Sequence, residues 1–196
     1  MSFAVLILAG GKSLRMGQDK TQLFGGIERL KQLAFHAGAC EVVVLKSETE
    51  EESCADIWYD PPGSSGLHEA IIWALKQFDT PVCLLPSDAF LMDRATFKSW
   101  VVSAPRGGVP TDSNGHPQPL FSFIPMNWIA PQKAASMREL VASLPMIDTS
   151  DVKAFENFNT LADVLNGQRS LARLHGEDVL LQSMSILRGK DGVLPP

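Results

Sequence analysis

The chain has 196 residues, 45% hydrophobic and 20% charged, which suits one ordinary globular domain with a sizeable core. A formal net charge of -5 argues against general affinity for nucleic acid, so an anionic ligand needs a local basic site. Cys40, Cys54 and Cys83 lack C-x-x-C spacing and make neither a disulfide framework nor a zinc site, so they read as reduced thiols of a cytoplasmic protein. No apolar run approaches the ~18 residues of a membrane span, and no charged leader precedes the first apolar stretch.

Phe3 to Leu8 is a continuous apolar run, the pattern of a central strand covered on both faces. It breaks into Gly10-Gly11, and Arg15 and Lys20 follow. Helical spacing then predicts a helix from Arg29 to His36, stopped by Gly38. The β-branched run Glu41 to Leu45 predicts a second strand, and Lys46 to Ser53 a charged surface helix or loop. A short third strand is expected over Asp56 to Asp60, then a Pro/Gly/Ser loop to Gly66 and a helix from Leu67 to Phe78. Thr80 to Leu85 reads as a buried strand ending in Pro86-Ser87-Asp88, with a short helix from Asp93 to Val102.

In the second half, Gly107 to Pro110 is extended, Asp112 to Gly115 is a hairpin-type turn, and Gln118 to Ile124 is expected as a strand. A helix is expected from Gln132 to Leu144, with a further short strand at Met146 to Asp148. Phe155 to Thr160 is extended, and Thr160 with Asp163 marks a helix start for Leu161 to Leu165. The strand–helix alternation predicts an α/β fold with a mostly parallel sheet, made mixed by the hairpin insertion. In such sheets ligands bind at the carboxyl ends of strands, near a reversal of strand order. Gly10-Gly11, Asp60 and Asp88 each follow a predicted strand, so they are expected on one rim.

Glycines let the backbone approach a ligand closely, and bare amides with two cations can meet an anion. The stretch is neither a P-loop nor a dinucleotide fingerprint. By composition alone it is either a triphosphate clasp or a plain strand-to-helix turn with exposed Arg15 and Lys20. His68 sits in the loop after Asp60, His116 beside the hairpin, and His36 and His175 have no partner at useful spacing. The four tryptophans, Trp58, Trp73, Trp100 and Trp128, read as packing residues, and Glu48 to Glu52 as a solvated face.

The run Leu8-Ala9-Gly10-Gly11-Lys12-Ser13-Leu14-Arg15-Met16-Gly17-Gln18-Asp19-Lys20 resembles the signature of the MobA-like molybdenum cofactor guanylyltransferases. The likeness continues more weakly through Asp60, Pro86-Ser87-Asp88, Gln118 to Phe121 and Asn157 to Thr160. It implies a Rossmann-like three-layer α/β/α nucleotidyltransferase domain over residues 1–166, with 167–196 an extension that packs on the domain or on a partner. It also implies Mg²⁺-dependent transfer of GMP from GTP to Mo-molybdopterin in the cytoplasm, with pyrophosphate released. Leu8, Ala9, Gly10, Gly11, Arg15 and Lys20 would then hold the GTP phosphates and guanosine. Asp60 would contact the nucleotide, Asp88 would hold Mg²⁺, and Asn157 and Asn159 would lie on the pterin side. The substrates implied are small molecules, with no nucleic acid or membrane, and the protein partners implied are those of molybdenum insertion or molybdoenzyme maturation. In the loop that meets the base, only Gly66 and Ile71 keep the guanylyl pattern, so two alternatives stand beside it. One is the sister cytidylyltransferase, and the other is a nucleotide-binding homologue with little or no catalysis.

Overall fold

Strands buried on both faces need apolar side chains at every position, and the N-terminal run supplies them. The computed structural model describes residues 2–9, 20–47 and 55–188. In it, β1 (Ala4–Leu8) is buried throughout. It lies between β2 (Glu41–Lys46) and β4 (Val82–Pro86), parallel to both, with Leu6 opposite Val43 on one side and Leu84 on the other. Outside β2, β3 (Ile57–Tyr59) adds a parallel edge strand, and β6 (Phe123–Ile124) pairs antiparallel with β4 at the opposite edge. The order β3-β2-β1-β4-β6 gives the expected mixed, mostly parallel sheet. A second, two-stranded sheet joins β5 (Val109–Pro110) to β7 (Met146–Ile147).

Alternate residues of a strand point to opposite faces, and here they divide between two helical layers. Val5, Ile7, Val44 and Leu85 pack beneath α1 (Gly26–His36) and α3 (Arg94–Ser103), against Leu30, Leu33, Phe97 and Trp100. Leu6, Leu8, Val43 and Leu84 face α2 (Leu67–Leu75) and the single turn α4 (Met137–Leu140), against Ala70, Ile71, Ala74 and Leu140. The three-layer α/β/α architecture follows directly. Trp100 is buried edge-on against Phe97 and Phe155, and Trp58 is half-buried against Trp73 and Phe78, so the indoles pack as expected.

Some elements differ from their sequence patterns. The strand expected over 118–124 is mostly a 3-10 turn, Pro119–Phe121, and pairing is left to Phe123–Ile124. Pro119 has no amide to give to a ladder. The helix expected over 132–144 shrinks to α4, because Ser136 caps it late and accepts the Glu139 amide. The Glu139 carboxylate reaches back past the cap and accepts the Ala135 amide. Likewise α2 ends at Leu75, and 3-10 bonds from Gln77 to Ala74 and from Phe78 to Leu75 carry Phe78 into the core. The charged segment 46–53 lies largely outside the described residues, and Lys46 itself belongs to β2.

Thr160 and Asp163 form the expected reciprocal cap, but the helix they start, α5 (Leu161–His175), runs on well past Leu165. It continues unbroken across residues 166 and 167. At Gly167 a Cβ would come within 2.8 Å of the Phe158 ring, so the helix can approach that closely only with glycine. Gly176 turns the chain into α6 (Glu177–Arg188). A third apolar cluster joins Leu171, Met184 and Leu187 of these helices to Leu23, Phe24, Phe90 and Phe158.

Candidate functional site

Three backbone hydrogen bonds continue the ladder past the carboxyl ends of the parallel strands. The Ala9 amide donates to Leu45 O (2.8 Å), the Asp60 amide to Lys46 O (3.0 Å), and the Ser87 amide to Leu8 O (3.0 Å). Leu8, Leu45 and Pro86 stand opposite one another in register. Ala9, Asp60 and Asp88 therefore leave the sheet on the same rim, as their places in the sequence predict. From β1 the chain goes first to β2 and β3 on one side and then to β4 on the other. The strand order thus reverses between β1 and β4, and the crevice there is flanked by Leu8-Ala9 and Ser87-Asp88. Asp60 follows the edge strand. At about 4.8 Å per strand it stands roughly 10 Å along the rim from β1.

Gly10, Gly11 and Arg15 lie outside the described residues. Lys20 opens a 3-10 turn, Lys20–Gly25, that breaks at Leu23 and Phe24 and leads into α1. Phe24 has φ 50°, a left-handed conformation that costs a non-glycine residue roughly 1–2 kcal/mol. Its amide donates to Ser183 Oγ of α6 (3.1 Å), and its ring packs on Phe90 (4.8 Å) and His175 (5.2 Å).

Asp88 is buried, at 8% exposure, in a tight turn directly after β4. The turn is closed by amide bonds from Ala89 to Pro86 O (3.1 Å), Phe90 to Asp88 O (2.7 Å) and Met92 to Ala89 O (3.2 Å). Arg29 of α1 donates to Ala89 O and Met92 O, each at 2.7 Å. Burial pushes its pKa down to about 10, which still leaves it cationic at neutral pH. From α5, His175 Nε2 stands 2.6 Å from Phe90 O. A carbonyl only accepts, so Nε2 carries the proton. Burial lowers the His175 pKa, the Phe90 bond opposes that, and the Arg29 cation lowers it further.

Between Asn157 and Asn159, Phe158 packs on the turn after β4, its ring 5.4 Å from that of Phe90. Asn157 Nδ2 donates to Gln118 Oε1. The buried Gln118 in turn donates from Nε2 to Asp112 Oδ2 (2.8 Å), and Asp112 Oδ1 accepts the Asn114 and His116 amides (2.9 Å each). The Asp112 turn, expected from its residues alone, thus anchors the Asn157 side chain. The Asn159 amide donates to Asp163 Oδ2 (2.8 Å), so its orientation is set by the cap of α5. In the loop after Asp60, the Ser65 amide donates to the Glu69 carboxylate (2.6 Å) and holds its pKa below the usual carboxylate range. His68 is half-buried beside Gly66, at the start of α2.

Sequence spacing left three contributors without a role: Arg29, His175 and Gln118. The first two bond across 60 to 85 residues of chain. Only Gln118 left a local trace, in the Gln-Pro pair after the hairpin turn. Among the described residues no three His, Cys, Asp or Glu converge on one point. Mg²⁺ keeps waters and phosphate oxygens and needs few carboxylates, so it does not require such a cluster. A hard, buried carboxylate at the mouth of the crevice, such as Asp88, has the donor chemistry for it.

Residues 5–145 match the model of the MobA-like NTP transferase domain. A protein of Synechococcus elongatus named "Probable molybdenum cofactor guanylyltransferase" is 33% identical over 111 residues, which are 51% of this chain and 57% of that one. The chain thus spans little more than half the length of that relative. Two solved structures share the fold. A nucleotidyl transferase from Methanothermobacter thermautotroptrophicus has a TM-score of 0.62 at 11% identity, covering 88% of this chain and 98% of its own. The homologue of Mycobacterium tuberculosis rv0371c from Mycobacterium sp. strain JC1 has a TM-score of 0.58 at 18% identity, with the same coverage. Among the described residues no helix is long and apolar enough to cross a membrane.

Proposed function

This chain belongs to the MobA-like NTP transferase family, and from that premise we propose that it transfers GMP from GTP to Mo-molybdopterin, giving molybdopterin guanine dinucleotide and pyrophosphate. The observation that carries the reading is the rim. Ala9 and Asp88 follow neighbouring parallel strands at the crevice where the strand order reverses, and Asp60 follows the edge strand β3 farther along the same rim. A nucleotide lying along that rim has its phosphates over β1 and β4 and its nucleoside toward β3.

In the proposed reaction a phosphate oxygen of molybdopterin attacks the α-phosphorus of GTP. The new P–O bond forms as the bond to the β-phosphate bridge breaks, and pyrophosphate carries the electron pair away. The nucleophile is already ionised, so no general base is required. The protein must bring two anions together and hold them in line. Gly10 and Gly11 allow close backbone approach to the phosphates, with Leu8 and Ala9 at the base of that loop. Arg15 and Lys20 offset the charge of the departing pyrophosphate. Asp88 would hold Mg²⁺, which when bound supplies charge neutralisation between nucleotide phosphates. Asp60 serves the nucleoside, and Asn157 and Asn159 the pterin.

The test is pyrophosphate release by the purified chain with Mo-molybdopterin, Mg²⁺ and either GTP or CTP, with the product read by mass. GTP should be used at least about tenfold better than CTP, since a site that pairs with one base edge leaves polar groups unpaired with another. Equal or better use of CTP would assign the cytidylyl reaction. GTP binding without pyrophosphate release would assign a nucleotide-binding role. In the same assay, Lys20→Ala should weaken GTP binding by roughly 10-fold or more, the value of one charge-assisted contact of about 1.5–3 kcal/mol. Equal GTP affinity in variant and parent would exclude Lys20 from the phosphate site.

A further inference from the structure

The turn that carries Asp88 is gripped by side chains that no signature of the sequence marks. Arg29 projects from α1, the helix that follows the turn starting at Lys20, and places Nη1 on Met92 O and Nη2 on Ala89 O. A planar fork across two carbonyls three residues apart fixes both their spacing and the rotation of the turn between them. From the other side, His175 of α5 holds Phe90 O, the carbonyl between those two. Ala89, Phe90 and Met92 are thereby all engaged from outside the turn. The guanidinium sits largely out of water, and its Nε is buried with no hydrogen-bond partner among the described residues. A buried cation with an unsatisfied donor is a costly way to fill space. What it does that an apolar residue could not is set the course of the turn.

The same contacts tie the turn to the other phosphate-facing segment. Phe24, in the turn that starts at Lys20, stacks on Phe90 and His175, and its amide is held by Ser183 of α6. We propose that Arg29 is a positioning residue whose fork directs the Asp88 carboxylate into the crevice, and that His175 braces the same turn from the C-terminal helical pair. The proposal rests on the nucleotidyl-transfer reading of the site.

Arg29→Lys keeps the charge and loses the fork, while His175→Phe keeps a ring against Phe24 and loses the bond to Phe90. Two readouts on the full chain decide the matter. Amide exchange of residues 88–92 should rise about tenfold in Arg29→Lys and about threefold in His175→Phe, with β1 and β2 amides unchanged. The Mg²⁺ concentration for half-maximal pyrophosphate release should rise about tenfold in Arg29→Lys, while KM for GTP stays within about twofold, because supporting groups tune a metal site by about 10–100-fold. Exchange at 88–92 that does not change, exchange that rises across the whole chain, or an unaltered Mg²⁺ dependence overturns the proposal. If Arg29→Lys does not fold, His175→Phe decides by the same criteria. If the parent releases no pyrophosphate, the transfer reading has failed on its own. Mn²⁺ affinity in the presence of GTP then replaces turnover, with a clear weakening in the variants supporting the clamp and equal affinity overturning it.

Discussion

Asp88→Asn is expected to lower pyrophosphate release by about 10³-fold or more, the scale set by removing one preorganised electrostatic group from a transfer site. Asparagine has nearly the same shape, and the residue is 8% exposed, so the substitution removes the charge with little change of volume. The backbone bonds from Ala89 and Phe90 to Pro86 O and Asp88 O do not depend on the carboxylate. Circular dichroism should therefore show the fold retained. Asp93, five residues on, is the comparison. Its carboxylate caps α3 by accepting the Thr96 amide at 2.7 Å. Asn is an equally good cap, so Asp93→Asn should leave turnover within about twofold. Unchanged turnover in Asp88→Asn sinks the metal-ligand assignment. An equal loss in both variants would point to general disturbance of the segment.

Gly26→Ala should be among the most damaging single methyl additions in the fold. Gly26 has φ +55°, and a Cβ there would lie 1.9 Å from the Thr21 carbonyl oxygen. The obstacle is backbone, so no side chain can swing aside. Left-handed strain of about 1–2 kcal/mol and an overpacking cost of about 1–3 kcal/mol together give about 3 kcal/mol. In a chain of this size that lowers the thermal midpoint by roughly 6–12 °C. Gly38 separates the two contributions, since its φ is +96° but nothing lies within 4 Å of the added Cβ. Gly38→Ala should cost only about 1 kcal/mol. Equal midpoints for the two variants would refute the collision. The position matters for function because Thr21 belongs to the turn that starts at Lys20. Relief of the clash moves the turn that starts at Lys20, so, if Lys20 holds phosphate as proposed, GTP binding should weaken in Gly26→Ala and not in Gly38→Ala.

Glu139 and Pro119 show where local pattern and final structure part. Apolar spacing over 132–144 is helical, yet Ser136 caps a helix in the middle of it, with Glu139 holding the Ala135 amide, and one turn is left. Over 118–124 the apolar residues read as a strand, but Pro119 removes a ladder donor and the chain coils before it pairs. In both cases a specific hydrogen-bonding preference outweighed periodicity. The opposite occurred at Thr160, where the cap was legible and the length of α5 was not, because its later turns are stabilised by Phe24, Phe158 and α6, all outside the window.

The sequence alone determined the strands at Phe3 to Leu8, Glu41 to Leu45 and Thr80 to Leu85, since an uninterrupted apolar run has few uses other than a doubly covered strand. It also determined which residues leave those strands at the carboxyl rim, and through its glycine-rich signature it pointed to the family. Only the tertiary structure decided what holds that rim in place. Arg29 meets Met92 across 63 residues, His175 meets Phe90 across 85, and Ser183 meets Phe24 across 159. Periodicity tells which face of a helix is buried, but not which carbonyl that face will meet. That depends on how α1, α5 and α6 pack around the turn after β4, and so on the whole core at once.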